Sequence, residues 1–121
     1  MRNVTFTTKI RCILGDGDTM KYNKLVRDRI PEIIESKGKA CVTEILSDEK
    51  YLEMIDAKLD EELLEYHTDK NLEELADLVE VIYAATKARG YTLEELEAVR
   101  AKKAEERGAF DKKILLLEVI E

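Results

Sequence analysis

A single proline, five glycines and two cysteines in 121 residues set the first exclusions. With so few turn formers, a turn-dense β-sandwich is disfavoured and long helices are open to the chain. Cys12 and Cys41 are too few for a disulfide framework or a cysteine-rich zinc site, and the expected state is two reduced thiols in a cytoplasmic protein. No apolar run approaches the ~20 residues that span a bilayer. Arg11 interrupts the one candidate for a secretory segment, Ile10 to Leu14. The chain therefore reads as soluble, with no membrane partner. Basic residues are in deficit: 20 Lys and Arg stand against 27 Asp and Glu, a net charge of -7. That balance argues against a nucleic acid polymer as partner, because binding to phosphate backbones is dominated by Lys and Arg. Internal repeats and low-complexity tracts are also absent.

What is present is a mixture of 45% hydrophobic and 39% charged residues, the composition of one folded domain. Residues 1–19 differ from the rest. Val4, Phe6, Ile10, Cys12 and Leu14 all occupy even positions, a strand-like alternation that Gly15-Asp16-Gly17-Asp18 then breaks. Met20 is an alternative start. This segment reads either as an edge strand or as an extension appended to the fold unit; the second reading is taken, with the domain at 20–121.

Four helices are expected in that domain. Asp28 or Arg29 precedes the first, Pro31 sits in its first turn, and Gly38 stops it after about Lys37. Ala40 to Leu46 suggests a brief strand. Ser47 caps the second helix, which runs to about Tyr66 with Leu52, Ile55, Leu59 and Leu63 as its apolar stripe. His67 to Lys70 forms a short polar connection. The third helix runs from about Asn71 to Arg89, with Leu75, Leu78, Val79, Ile82 and Tyr83 as its apolar side. Thr92 and Glu95 make a capping box for the fourth, which ends near Gly108. The apolar stretch Ile114 to Ile120 fits a strand or a subunit-docking segment. The expected fold is an all-α bundle of about four helices, with room for one or two short peripheral strands.

The acids are the informative feature. Glu62 and Glu65 lie three residues apart, as do Glu74 and Asp77, so each pair shares a helix face. A short connection makes the two helices antiparallel neighbours. Glu65 and Glu74 are equidistant from the midpoint between Asp69 and Lys70, and so are Glu62 and Asp77. Glu65 should therefore face Glu74, and Glu62 should face Asp77. One such pair alone would be ordinary surface; two in mirrored register form a patch. Glu62 continues the row of Ile55 and Leu59, and Asp77 leads into Val81 and Ala84, so the acids border the apolar seam. Converging carboxylates repel one another and lose hydration there. A hard divalent cation relieves both problems, and an oxygen-only ligand set points to Mg²⁺, with Mn²⁺ as a substitute.

Glu61-Glu62-x-x-Glu65 followed by Glu74-x-x-Asp77 on consecutive helices resembles the MazG-like all-α nucleoside-triphosphate pyrophosphohydrolase superfamily. Tyr22-Asn23-Lys24-Leu25-Val26-Arg27-Asp28-Arg29-Ile30-Pro31 is similar to the opening motif of one small branch, the predicted house-cleaning phosphohydrolases. Glu106-Arg107-Gly108-Ala109-Phe110 resembles that branch's closing motif, with Ala109 where a second glycine is usual. The resemblance covers about residues 20–121. The eight residues between Glu65 and Glu74 are short for the superfamily and require a tight loop.

The resemblance implies hydrolysis of a nucleoside triphosphate between its α and β phosphates, giving a monophosphate and pyrophosphate. It implies Mg²⁺ held by Glu62, Glu65, Glu74 and Asp77, with Glu61, Glu62 or Glu65 accepting the proton of the attacking water. Lys24, Arg27 and Arg29 near the start, and Lys102, Lys103 and Arg107 later, are candidate donors to substrate phosphates. His67 reads as a loop residue, and the five tyrosines as packing residues for the most part. Superfamily members commonly complete their bundle by subunit association, so a homodimer or higher homo-oligomer is expected. Two alternatives remain: a metabolite hydrolase of the phosphoribosyl-ATP type, and a non-catalytic helical interaction module.

Overall fold

The structure, a computed structural model, describes residues 22–121. The strand-like alternation within 1–19 and Cys12 lie outside the described residues. Among the described residues the fold is all-α, with four helices in chain order: α1 (Ile30–Ser36), α2 (Asp48–Asp69), α3 (Leu72–Ala88) and α4 (Leu93–Arg107).

Capping residues determine where these helices start. The side chain of Ser47 accepts from Lys50 N at the head of α2, and Asn71 accepts from Glu74 N at the head of α3. Thr92 and Glu95 form the reciprocal capping box of α4. Pro31 lies in the first turn of α1, where its missing N–H leaves no bond unmade. Gly38 and Gly90 follow α1 and α3 with φ of 81° and 93°, values that suit glycine at a helix stop.

The connection between α2 and α3 is shorter than the sequence suggests. His67, Thr68 and Asp69 belong to α2, not to a polar loop, and only Lys70 and Asn71 link the helices. Lys70 adopts the left-handed conformation (φ 51°) and its N–H donates to Tyr66 O at 2.7 Å. Glycine usually takes that position; lysine pays a small steric penalty there. The Thr68 hydroxyl donates to Leu64 O and supports the added turn. The two helices pack as an antiparallel hairpin, and Arg89 closes its open end by donating to Asp56 at 3.1 Å.

Two further expectations are corrected. Among the described residues no strand forms: neither Ala40 to Leu46 nor Ile114 to Ile120 carries a helix, a turn or a ladder. A strand needs a neighbour for its backbone groups, and the described residues supply none. The apolar side of α3 is also redistributed. Val81 is buried and Leu78 half-buried in the seam, while Leu75, Val79, Ile82 and Tyr83 are substantially exposed. On α2, Ile55 is buried but Leu63 is exposed; Glu62 takes the inward position. Among the described residues the buried apolar side chains are Ile30, Ile55 and Val81, one from each of α1, α2 and α3.

Candidate metal centre

The most buried side chains of the described residues are carboxylates. Glu62 is 2% exposed and Glu74 0%. Both belong to the hairpin seam, on the helix face that carries Ile55 on α2 and Val81 on α3. Glu74 is the third residue of α3, and the Asn71 cap fixes the turn that aims it inward.

The carboxylates converge in two overlapping groups. Glu62, Glu74 and Asp77 each offer an oxygen within 4.8 Å of the others. Glu65, Asp69 and Glu74 do the same. The structure thus brings together all four residues expected to converge, with Glu62 beside Asp77 and Glu65 beside Glu74. Glu74 joins the two pairs. Asp69 was missed, because the sequence places it in a connecting loop. Its spacing from Glu65 and Glu62, at four and seven residues, was the available signal: once α2 runs on to residue 69, all three share a face.

Cations surround this cluster from outside. Lys58, one turn before Glu62 and only 12% exposed, approaches Glu62 at 3.4 Å and Glu61 at 3.3 Å. Lys24 donates to Glu61 at 3.1 Å, and Arg27 donates to Asp77 at 2.7 Å. The segment before α1 is therefore strapped onto the hairpin by two basic residues that reach acids of both helices. Lys58 was not singled out in the sequence; its position four residues before Glu62 was the signal.

The remaining candidates fall elsewhere. Arg29 pairs locally with Glu32, and Lys102 with Glu106. Lys103 and Arg107 are exposed on α4 and, among the described residues, form no ion pair with the cluster. His67 lies exposed in the last turn of α2, its ring 6.0 Å from that of Tyr66. Tyr22, Tyr51 and Tyr66 are half-buried, whereas Tyr83 and Tyr91 are exposed.

The arrangement suits a hard cation. Carboxylates this close repel by several kcal/mol in a medium of effective dielectric ~20, and burial removes the water that would screen them. Lys58, Lys24 and Arg27 offset part of this charge at the rim. The donors are all oxygens, which fits Mg²⁺, Mn²⁺ or Ca²⁺ and disfavours zinc.

No family model matches the chain, and no solved structure matches it. An uncharacterized protein of Mycolicibacterium smegmatis (strain ATCC 700084 / mc(2)155) is 55% identical over 42 residues. The match covers 35% of this chain and 43% of that protein, so the chain spans less than half the length of this relative. Among the described residues, no helix is long and apolar enough to cross a membrane.

Proposed function

We propose that this protein is a Mg²⁺-dependent nucleotide pyrophosphohydrolase that cleaves a nucleoside triphosphate between its α and β phosphates, clearing non-canonical nucleotides. The observation that carries this reading is the convergence of Glu62, Glu74 and Asp77 within 4.8 Å, two of them fully buried, with basic side chains at the rim. The MazG-like sequence resemblance supplies the reaction class.

Glu62, Glu65, Glu74 and Asp77 would hold the ion, with Asp69 adjoining them. Bound there, Mg²⁺ supplies neutralisation of phosphate charge. The reaction adds one water across the anhydride: its oxygen joins one phosphorus, the bridging oxygen leaves with the other, and the released proton passes to a carboxylate. Glu61, Glu62 and Glu65 are the proposed acceptors, and Lys58 holds Glu61 in place. Lys24 and Arg27 exchange their carboxylate partners for substrate phosphates, so Arg27→Ala is expected to raise KM more than it lowers kcat. Lys103 and Arg107 are exposed on α4 and would join the site from a second copy, so a homodimer is part of this reading.

The test is incubation with a panel of canonical and modified nucleotides in Mg²⁺, with product identification. Wild type, Glu62→Ala and Asp77→Ala are compared, with an EDTA control. Monophosphate plus pyrophosphate, abolished in both variants and in EDTA, is the expected outcome. Release of single phosphates would refute the bond assignment, and absence of turnover across the panel would refute the enzyme.

A further inference from the structure

Two segments of this chain have the composition of strands and, among the described residues, no backbone partner. Ala40 to Leu46 and Ile114 to Ile120 carry neither helix nor turn, and none of their backbone groups bonds to another backbone group of the described residues. Most of their apolar side chains face water: Val42 is 100% exposed, Ile45 95%, and the large residues of 114–120 between 72% and 86%, while Cys41 and Leu46 are half-buried. Unpaired apolar strands are a liability that folded proteins cover.

We propose that Ala40–Leu46 of one copy pairs as a β-strand with Ile114–Ile120 of a second copy, closing a two-fold homodimer with two equivalent intersubunit ribbons. It rests on the homodimer reading above and not on the hydrolase reading. Three observations favour a second copy as the occupant. First, the chain separates the two segments: the former leads into α2 at Ser47, while the latter follows the far end of α4, a helix of 15 residues and so roughly 22 Å. Second, Ile114, Leu116 and Ile120 lie on one strand face, and Leu115, Leu117 and Val119 on the other. A strand apolar on both faces leaves both to be covered, and the described residues of one copy cover neither. Third, the area is adequate. At about 1.45 Å² of extended-chain surface per dalton, these exposed apolar residues present roughly 1,000 Å² per copy, against about 800 Å² per partner in a standard stable interface. A two-fold arrangement uses each segment once and leaves no strand unpaired.

Disulfide trapping between differently tagged copies tests this, in a full-chain background carrying Cys12→Ser and Cys41→Ser. One preparation carries Val42→Cys; the other carries a single cysteine scanned along 115–119. The expected result is a mixed disulfide dimer whose yield alternates along the scan, because only every second residue faces the partner side chain. Light scattering is expected to give twice the chain mass for the wild type. Removal of residues 114–121 should raise the dimer dissociation constant at least about 100-fold, with helix content unchanged by circular dichroism. A monomeric wild type would overturn both the pairing and the homodimer. A dimer that survives the truncation, or cysteines that join only within one copy, would overturn the pairing and leave the homodimer standing. A monomeric wild type would also take Lys103 and Arg107 out of the proposed site, whereas nucleotide turnover is read separately by the panel assay.

Discussion

Replacing a buried acid with its amide should make this protein more stable when metal is removed. Glu74 is fully buried, and one of its oxygens lies within 4.8 Å of oxygens of both Glu62 and Asp77. Two unit charges at that distance repel by about 3.5 kcal/mol at an effective dielectric of 20. Arg27 against Asp77 and Lys58 against Glu62 cancel part of this. In Glu74→Gln the shape is kept, and the new amide donates to a neighbouring carboxylate, a hydrogen bond worth about 1 kcal/mol. The expected net gain is about 2 kcal/mol in EDTA, or roughly 6–10 °C in Tm for a chain of this length. Adding Mg²⁺ should reverse the order. A site with a dissociation constant one hundredth of the free Mg²⁺ concentration stabilises the wild type by about 2.7 kcal/mol, and the variant lacks the ligand that both carboxylate groups share. Thermal melts followed by circular dichroism, at matched protein concentration with EDTA and with Mg²⁺, measure both signs. A variant that melts below wild type in EDTA would refute the argument that these carboxylates strain the metal-free fold. A wild type whose Tm ignores Mg²⁺ would refute the metal centre.

Lys58→Met removes the cation nearest Glu62 and should cost about 3 kcal/mol in EDTA, while Lys58→Met combined with Glu62→Gln should recover most of the loss; chemical denaturation of the three variants checks this. Asn71→Ala removes the cap of the turn that carries Glu74 and is expected to cost about 1 kcal/mol and to weaken the Tm response to Mg²⁺. On α4, the hydrogen bonds from Arg100 hold the Glu97 carboxyl below the ordinary carboxylate range, and its positive charge acts in the same direction. Arg100→Ala should return it upward in a carbon-detected NMR titration. Because the folded-state value is the depressed one, the pair favours the fold above the ordinary carboxylate value, and that contribution fades as pH falls through the lowered one.

The helices were legible because each carries its own start signal. Ser47, Asn71 and the Thr92–Glu95 box act within four residues of themselves, so local chemistry decides them whatever the tertiary packing. The end of α2 was not legible. Stopping at Tyr66 treats His67 to Lys70 as polar and therefore as loop, but a helix continues for as long as its face is used. Asp69 is used, beside Glu65 and Glu74. The same cause explains the misplaced stripe on α3. Counting apolar residues put Leu75 and Ile82 inside, yet the inward positions next to Val81 are filled by Glu74 and, partly, Asp77. Hydropathy pattern assumes that the seam is apolar, and at this seam it is not.

A hairpin centre built from Glu62 and Glu74 is a poor choice for stability alone. Two leucines at these positions would remove both the desolvation cost and the repulsion, and would join Ile55 and Val81 in one continuous core. The chain instead surrounds the acids with cations whose strength of attachment differs. Lys58 comes from α2 itself, one turn from Glu62, and is fixed by the helix. Lys24 and Arg27 come from the segment before α1 and reach the hairpin across 37 and 50 residues of sequence. Both of their ion pairs are partly open to water, where such pairs are worth at most about 1 kcal/mol. A phosphate group arriving with a divalent ion competes for those two side chains on favourable terms, since Arg and Lys bind phosphate oxygens at least as well as carboxylate oxygens. On the proposed reading the rigid acids and the releasable bases divide the work: the hairpin would hold the cation, and the strap would hold the donors that a substrate takes over.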